Sequence, residues 1–168
     1  MTAAGGRTVL ITGAARRIGR ELALDFAGRG YKVGVHYNGS EAEATEVVDL
    51  IEAIGETAVA LQADLADMSA VESLMPRCIE ALGVPTCLIN NASRFHYDDI
   101  AGLTQQSWDR HQAINLRAAV FLARAFAHAL PEKAKGTIVN IIDQRVLKPT
   151  PHFLSYAVSK SGLWAATQ

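Results

Sequence analysis

Short apolar runs alternate with helix-like segments along the chain, and this alternation is the feature that most restricts its fold. Five apolar runs predict strands, at residues 8–12, 32–37, 57–63, 86–90 and 136–142. Each run is apolar almost throughout, which is typical of parallel strands that are covered on both faces. With short turns and right-handed crossovers, the pattern predicts an α/β fold, a doubly wound parallel sheet in a three-layer α/β/α arrangement.

The intervening segments predict helices at residues 18–30, 40–54, 69–82, 107–130 and 154–168. In the first of them, Ile18, Leu22, Ala23 and Phe26 fall on one face, which we expect to be the buried one. The longest stretch without periodicity, residues 93–106, follows the end of a strand, where open parallel sheets bind ligands.

Capping signals mark the ends of several predicted helices. Ser40 with Glu43, and Ser69 with Glu72, form two S-x-x-E patterns that are typical of capping boxes. Pro131 follows the long fourth helix and cannot continue it. These signals predict helix starts at the two serines and a helix end just before the proline.

Composition and charge exclude several classes of protein. With 168 residues, 49% of them hydrophobic and 20% charged, the chain is expected to form one domain, residues 1–168. No apolar run reaches the roughly 18 residues that a membrane span needs, and the first seven residues lack the order of a signal peptide. A net charge of −1 without blocks of like charge argues against a nucleic-acid partner or an anionic membrane surface.

The cysteines and histidines indicate neither disulfides nor metal. Cys78 and Cys87 fit no zinc or redox spacing, so they are expected to be reduced thiols in a cytoplasmic protein. The five histidines show no ligand spacing, and we therefore predict no metal site.

A glycine-containing stretch, TGAARRIG, joins the first predicted strand to the first predicted helix. Gly13 can adopt a backbone conformation that other residues resist, and Gly19 lets the helix approach the sheet closely. The exposed N–H groups and helix dipole at such a junction favour an anion. Arg17 stands where the commonest loop of this kind carries another glycine. The stretch indicates a nucleotide-phosphate loop, and a plain tight turn is the alternative.

The second predicted strand ends in the letters HYNGS, without Asp or Glu. An acid at this place usually binds the ribose hydroxyls of NAD. His36, Asn38 and Ser40 would not repel a 2′-phosphate, and Arg16 or Arg17 could pair with one from the loop. The segment therefore favours NADP(H), unless these residues are merely polar loop residues.

Polar residues also close the third and fourth predicted strands. Asp64 is well placed to accept a hydrogen bond from an adenine amino group, and the alternative is that it caps the following turn. Asn90 and Asn91 begin the sequence NNAS, in which two carboxamides could hold both backbone and cofactor.

The strongest chemical signal is the pair Tyr156 and Lys160, four residues apart on one predicted helix face. A lysine ammonium near a phenol lowers the pKa of the phenol, which makes tyrosine a usable general acid. Asp143 ends the fifth predicted strand, thirteen residues before Tyr156. Asn115 lies in an otherwise apolar stretch of a predicted helix, where a buried carboxamide requires a specific partner.

Taken together in this order and spacing, these residues resemble the short-chain dehydrogenase/reductase family along the whole chain. The matching residues are Thr12, Gly13, Gly19, Asp64, Asn90, Asn91, Ala92, Asn115, Tyr156 and Lys160. The resemblance implies a nicotinamide cofactor and hydride transfer to a C=O or C=N group, with Tyr156 as the proton donor. It also implies that Lys160 binds the ribose and tunes Tyr156, while Asn115 holds a water in a proton relay.

The resemblance further implies a set of cofactor contacts, with NADPH expected ahead of NADH. That set is Gly13, Arg16, Arg17, Ile18, Gly19, His36, Tyr37, Asn38, Ser40, Asp64, Leu65, Asn91, Ala92, Ser93, Tyr156 and Lys160.

Four departures from the common family pattern resemble its pteridine reductase branch. Asp143 replaces the usual catalytic serine, Ser93 replaces a glycine in N-N-A-G, Arg17 lies in the glycine loop, and Phe95 follows shortly after. By this resemblance Phe95 would stack on a pterin ring, and Ser93 and Arg17 would contact the pterin or the cofactor phosphates. Asp143 would bind or protonate a ring nitrogen, while Tyr156 serves the other protonation.

Gly39 stands where many pteridine reductases carry an arginine for the 2′-phosphate, which weakens the case for NADPH. A 3-oxoacyl or sugar-ketone reductase of the same family is the nearer alternative, and a non-catalytic nucleotide-binding regulatory protein is the more distant one. The resemblance implies a homodimer or homotetramer. Because family members continue with a substrate lid beyond the Tyr156 helix, we expect the chain to be a truncated form of a longer protein.

Overall fold

The computed structural model describes residues 7–168 and contains a five-stranded parallel sheet with helices on both faces, which confirms the predicted fold class. Residues 1–6, which include most of the segment compared with signal peptides and the start of the expected domain, lie outside the described residues. The strands are β1 (Thr8–Ile11), β2 (Lys32–Tyr37), β3 (Ala58–Gln62), β4 (Cys87–Asn90) and β5 (Thr137–Asn140). Their order across the sheet is β3-β2-β1-β4-β5, so the order reverses between β1 and β4. That reversal brings the loops after β1 and β4 together at one edge, the usual ligand site of such sheets.

The helices lie where the sequence predicts them, with shifted ends. They are α1 (Arg17–Gly28), α2 (Glu41–Ala53), α3 (Met68–Leu82), α4 (Gln105–His111), α5 (Ala118–Ala129) and α6 (Leu154–Thr167). Between α4 and α5 the chain forms a π-helical segment, Gln112–Arg117, so the predicted long helix is continuous but underwound at its centre. Among the described residues, none of the helices has both the length and the apolar character that crossing a membrane requires.

Two apolar clusters, one on each side of the sheet, form the core. Successive residues of a strand face opposite sides, so Val9 and Ile11 pack under α1 and α2 while Leu10 packs under α3 and α5. Cys78 and Cys87 are buried free thiols, one in each cluster. Ile138 and Val139 of β5 are each 38% exposed, and among the described residues β5 pairs with β4 alone.

The buried face of α1 differs from the predicted one. Gly19, Ala23 and Ala27 are its buried residues, whereas Ile18 is 60% exposed. Small side chains at this spacing let the helix lie close to the sheet, which leaves Leu22 and Phe26 at the margin of the core.

Neither predicted capping box forms. Ser40 precedes α2 but its side chain caps no backbone amide. At α3 the cap is Asp67, whose carboxylate accepts a hydrogen bond from the backbone N–H of Ser69 at 2.9 Å. Because an aspartate stands two residues before Ser69 and is an equally good cap, the helix begins earlier than predicted.

A buried histidine ties three strand ends together. His36 of β2 is 2% exposed, and its Nδ1 accepts a hydrogen bond from the backbone N–H of Gly13 at 2.9 Å. The opposite nitrogen, Nε2, therefore carries the proton and donates to the carbonyl of Ala63 at 3.0 Å. Both ring nitrogens are engaged inside the protein, so the His36 side chain has no free nitrogen for the predicted cofactor contact. Burial lowers the pKa of His36 to about 4, and the positive charge of Arg77 acts in the same direction.

The buried histidine makes stability depend on acidity. The unfolded chain takes up a proton on His36 near pH 6.5, whereas the folded protein does so only near pH 4. The free energy of unfolding should therefore decrease as the pH falls through this window, by up to about 3 kcal/mol. Urea unfolding at several pH values measures this decrease. The variant His36→Asn should lose this part of the pH dependence, and His128→Asn, at an exposed histidine, should retain it. Equal slopes in wild type and His36→Asn would show that His36 does not carry the effect.

Candidate active site

The turn after β1 is the best-defined part of the site. Gly13 has φ +64°, a left-handed conformation that favours glycine. A Cβ atom added to Gly19 would overlap the carbonyl oxygen of Gly13 and lie 2.6 Å from Asn91 Nδ2. Any larger residue at position 19 would force this backbone apart. The two glycines thus allow α1 to begin directly against the end of the sheet.

The residues after β4 hold this turn in place. Asn91 Nδ2 donates to the carbonyl oxygens of Thr12 and Gly13, at 2.9 and 3.1 Å. In return, Thr12 Oγ1 accepts hydrogen bonds from the backbone N–H groups of Asn91 and Ala92, at 3.0 Å each. The amide donors of Asn91 are therefore used within the protein, and Asn91 shapes the loop on which a ligand would lie.

Two arginines stand at the start of α1. Arg16 pairs with Glu43 at 3.5 Å, on an exposed surface. Arg17 has φ +54°, a left-handed conformation that costs a non-glycine residue roughly 1–2 kcal/mol. Within residues 7–168 no carboxylate pairs with Arg17, so its exposed charge is available at the helix N-terminus. Ile18 is exposed beside it.

The other predicted nucleotide contacts lie around the ends of β2 and β3. Tyr37 and Ser40 are half-buried, and Asn38 is exposed. Asp64 Oδ1 accepts from the backbone N–H of Ala66 at 2.9 Å, so it does cap the following turn, and a carboxylate has capacity for a further donor. The Leu65 side chain is buried in the core cluster under α3, which leaves only its backbone for a ligand.

A tyrosine and an aspartate form the chemical centre of the site. The Tyr156 hydroxyl donates to Asp143 Oδ2 at 2.9 Å. Lys160, one turn further along α6, donates from Nζ to the carbonyl of Ile141 at 2.8 Å and lies 6.0 Å from the centre of the Tyr156 ring. The structure therefore brings together three of the four predicted catalytic side chains.

The ionisation of this pair is the reverse of the sequence-based prediction. Burial and the adjacent Asp143 carboxylate raise the pKa of Tyr156, which is the direction opposite to the lowering expected from Lys160. Burial opposes the ionisation of Asp143, but the backbone N–H of Arg145 and the Tyr156 hydroxyl outweigh it and lower the pKa of Asp143. Burial also lowers the pKa of Lys160. The pair is a protonated phenol that donates to a carboxylate anion, and Asp143 is the hydrogen-bond acceptor in it.

Asn115 lies in the π-helical segment and is buried. Its Nδ2 donates to the carbonyl of Arg94 at 2.9 Å and to Ser159 Oγ at 3.0 Å, and its Oδ1 accepts from the backbone N–H of Arg94 at 2.7 Å. Both amide donors are engaged, so the carboxamide joins the loop after β4 to α6, and it has no free donor for the predicted water.

An aromatic surface flanks the tyrosine. Phe95 is 50% exposed, stacks on Phe153 with ring centres 4.3 Å apart, and meets Tyr156 edge-on at 4.7 Å. The Arg145 guanidinium lies 5.1 Å from the centre of the Phe153 ring and 3.6 Å from Asp143 Oδ2. Ser93 is exposed next to Asn115, with its hydroxyl 3.5 Å from Asn115 Oδ1.

Sequence reasoning missed two members of this surface. Arg145 follows Asp143 by two residues, and that spacing was the only signal for it. Phe153 has φ +59°, which no sequence pattern indicates for a phenylalanine. Within residues 7–168, no group of three His, Cys, Asp or Glu side chains could hold a metal ion.

Comparison with known proteins agrees with this geometry. Over 98% of its length the chain is 33% identical to a short-chain type dehydrogenase/reductase of Picea abies, and it covers 64% of that protein. It is 30% identical to the 3-oxoacyl-[acyl-carrier-protein] reductase FabG of Staphylococcus aureus, covering 96% of this chain and 66% of the relative. The chain thus spans slightly less than two thirds of the length of these relatives.

Among solved structures, the chain is similar to FolM alternative dihydrofolate reductase 1 from Brucella suis in complex with NADP. The two share 43% identity with a TM-score of 0.92, over 96% of this chain and 67% of the other. The family model described as short chain dehydrogenase matches residues 7–168. The chain therefore belongs to the short-chain dehydrogenase/reductase family.

Proposed function

We propose that the protein is an NADPH-dependent oxidoreductase that transfers hydride to a C=N group of a pterin-like substrate, with Tyr156 as the proton donor. The observation that carries this proposal is the hydrogen bond from the Tyr156 hydroxyl to Asp143, at 2.9 Å beside the exposed ring of Phe95. A proton donor, an anionic acceptor and an aromatic face thus meet at the end of the sheet. These are the groups that a flat heterocycle with N–H donors requires.

The chain's own residues fit NADPH, which carries a 2′-phosphate that NADH lacks. Only glycine fits at position 19, and the turn presents its backbone at the N-terminus of α1, as anion sites do. Arg17 adds an exposed positive charge there, and β2 ends without an acid that would repel a 2′-phosphate. Structures of similar proteins that hold NADP support the choice of NADPH.

The nucleotide would lie along the loops that follow four strands. Gly13 and Ala92 border its path at the centre, Arg17 would meet its 2′-phosphate, and Asp64 would accept from the adenine amino group. Lys160 would bind the nicotinamide ribose, as the family resemblance implies. Arg16 is a less suitable phosphate partner than Arg17, since Glu43 already neutralises it.

When bound, the reduced nicotinamide supplies the hydride, which adds to the carbon of the C=N bond. The substrate nitrogen takes up the proton of the Tyr156 hydroxyl, so C=N becomes CH–NH. Asp143 holds that proton on Tyr156 until a substrate N–H donor binds to the carboxylate. Such a donor compensates the charge of Asp143 and frees the phenol, while nearby Lys160 stabilises the phenolate that remains.

The pterin preference follows from the same residues. A carboxylate pairs well with the amino and ring N–H donors of a pterin, whereas a simple ketone offers it none. Phe95 and Phe153 stack with nearly parallel rings, 9° apart, and a flat heterocycle would bind to such a ring in the same manner. The similarity to an alternative dihydrofolate reductase adds independent support.

A 3-oxoacyl reductase is the second candidate, because FabG is among the relatives at 30% identity. A non-catalytic nucleotide-binding protein is the third candidate, since it would need only the glycine turn.

The proposal also includes a single nucleotide-binding domain, a cytoplasmic location and a homodimer or homotetramer, as expected from the sequence.

The variant Tyr156→Phe tests the proposed proton donor. The full-length protein should oxidise NADPH when dihydrobiopterin is added, faster than with a 3-oxoacyl thioester. Removing the hydroxyl should reduce turnover by at least about 100-fold, because general acid catalysis contributes 10²–10⁴-fold. Absorbance of NADPH measures the rate, and fluorescence titration shows whether the variant still binds NADPH. The remote variant Tyr31→Phe is the matched control and should behave as wild type.

Three outcomes would contradict the proposal in different ways. Undiminished turnover in Tyr156→Phe would remove tyrosine from the chemistry. Faster reduction of the thioester would favour the 3-oxoacyl candidate. NADPH binding without turnover on any pterin or carbonyl compound would favour the regulatory candidate.

The cofactor preference depends on Arg17. Wild type should bind NADPH more tightly than NADH, and Arg17→Gly should lower that ratio by about 10-fold, the value of one charge-assisted hydrogen bond. Glycine tolerates the left-handed backbone at this position, so the change removes charge without adding strain. Arg20→Ala, on the same helix but paired with Glu21 and Glu46, is the control and should leave the ratio unchanged. A wild-type preference for NADH would refute the assignment.

A further inference from the structure

A buried cluster at the start of α6 has no part in the proposed chemistry. It consists of Asp98, His111 and Ser155, which are 3%, 0% and 0% exposed. Although these are the residue types of a hydrolase triad, their burial keeps any substrate from the serine. Such a cluster requires an explanation, because burying a carboxylate is costly unless its hydrogen bonds are satisfied.

The backbone at the start of α6 shows what Asp98 does. The first N–H groups of a helix lack partners within the helix, and a side chain at the N-cap usually supplies one. Here the N-cap position is Phe153, which has no such group. Instead, the Asp98 carbonyl accepts from the N–H groups of Phe153 and Leu154, at 2.7 and 3.3 Å, and its Oδ1 accepts from that of Ser155 at 3.1 Å. One residue from the loop after β4 therefore caps three successive amides.

The second carboxylate oxygen is fixed equally firmly. Asp98 Oδ2 accepts from the hydroxyls of Ser155 and of Ser107, the latter at 2.8 Å. Burial opposes the ionisation of Asp98, but these hydrogen bonds outweigh it and lower the pKa of its carboxyl group. The carboxylate anion also lies at the positive end of the α6 dipole, which stabilises it further.

His111 orients the hydroxyl of Ser155, which contacts both His111 and Asp98. Its Nε2 accepts from the backbone N–H of His96 at 3.2 Å, so the proton must be on Nδ1. That Nδ1–H donates to Ser155 Oγ at 2.6 Å, and the Ser155 hydroxyl proton is therefore directed to Asp98. The ring is neutral, and the chain of donors runs in one direction, from His96 through His111 and Ser155 to Asp98.

The capped turn carries the proposed proton donor. Tyr156 follows Ser155 directly, and Gln112 Nε2 also holds the Ser155 carbonyl at 3.0 Å. Displacement of this turn would move the Tyr156 hydroxyl away from Asp143. We propose that Asp98 is a positioning residue, an N-cap supplied by another part of the chain that fixes the first turn of α6 and thereby aims the Tyr156 hydroxyl. The catalytic consequence rests on the proposed function, whereas the capping itself does not.

The variants Asp98→Ala and Asp98→Asn test this role in the full-length protein. Asp98→Ala should increase amide hydrogen exchange at residues 153–155 by more than about 10-fold. It should also lower kcat for dihydrobiopterin reduction by about 10- to 100-fold, because small misplacements of a reacting group are that costly. The NADPH dissociation constant should stay within about twofold, since the nucleotide loops are held by other residues. A purely structural role would weaken binding and turnover together.

An aspartate on a remote element offers a matched control. Asp49 of α2 is exposed and makes no side-chain hydrogen bond within residues 7–168, so Asp49→Ala should change neither exchange in α6 nor kcat. Should Asp98→Ala fail to fold, Asp98→Asn remains informative, because it keeps the size and the backbone carbonyl of the cap. It also keeps a side-chain oxygen that can accept from Ser155 N–H, which Ala lacks, so it should give smaller changes in the same two measurements.

The outcomes separate the two proposals. Wild-type exchange at residues 153–155 in both Asp98 variants would overturn the capping role, whatever the activity. Faster exchange with unchanged kcat would show that Asp98 caps the helix but does not position Tyr156. Absence of turnover in wild type would refute the proposed function, while the exchange data would still decide whether Asp98 caps α6.

Discussion

The site depends on a single backbone turn, Thr12 and Gly13, which three strand ends hold in place. The Asn91 side chain donates hydrogen bonds to the carbonyl oxygens of Thr12 and Gly13, and Thr12 Oγ1 accepts one from the backbone N–H of Asn91. The His36 ring accepts a hydrogen bond from the backbone N–H of Gly13. These hydrogen bonds are buried or half-buried, where an unmade bond is costly. The start of α1, with Arg17, is thereby fixed relative to the loop that leads to Phe95.

The replacement of a hydroxyl by Asp143 changes the electrostatics beside Tyr156. A neutral partner would leave the acidity of the phenol to Lys160. A carboxylate anion instead stabilises the protonated phenol and raises its pKa. The tyrosine becomes a good donor only when another group compensates that charge. In the proposed function, this requirement would select substrates that themselves donate hydrogen bonds to Asp143, as a pterin does.

The sequence patterns predicted the fold and each of the five strands of the sheet. They could do so because the spacing of apolar residues in strands and helices depends only on which side chains are buried. The same patterns suggested Tyr156, Lys160, Asp143 and Phe95, which do come together. Features set by tertiary contacts were missed. His36 is polar, and only its two buried partners show that it serves the loop. The cap of α6 comes from Asp98, which is 56 residues before Leu154. The pKa of Tyr156 depends on which neighbour its hydroxyl contacts, and spacing along a helix does not specify that.

The central claim is that the Asp143 carboxylate keeps the proton on Tyr156. The most direct test is an NMR titration of protein labelled with ¹³C at the tyrosine ring carbon bonded to oxygen, with the Tyr156 signal assigned from Tyr156→Phe. In wild type the pKa of Tyr156 should lie above the ordinary tyrosine value of about 10, and in Asp143→Ser it should decrease. A wild-type pKa below that ordinary value, or the same pKa in Asp143→Ser, would contradict the account.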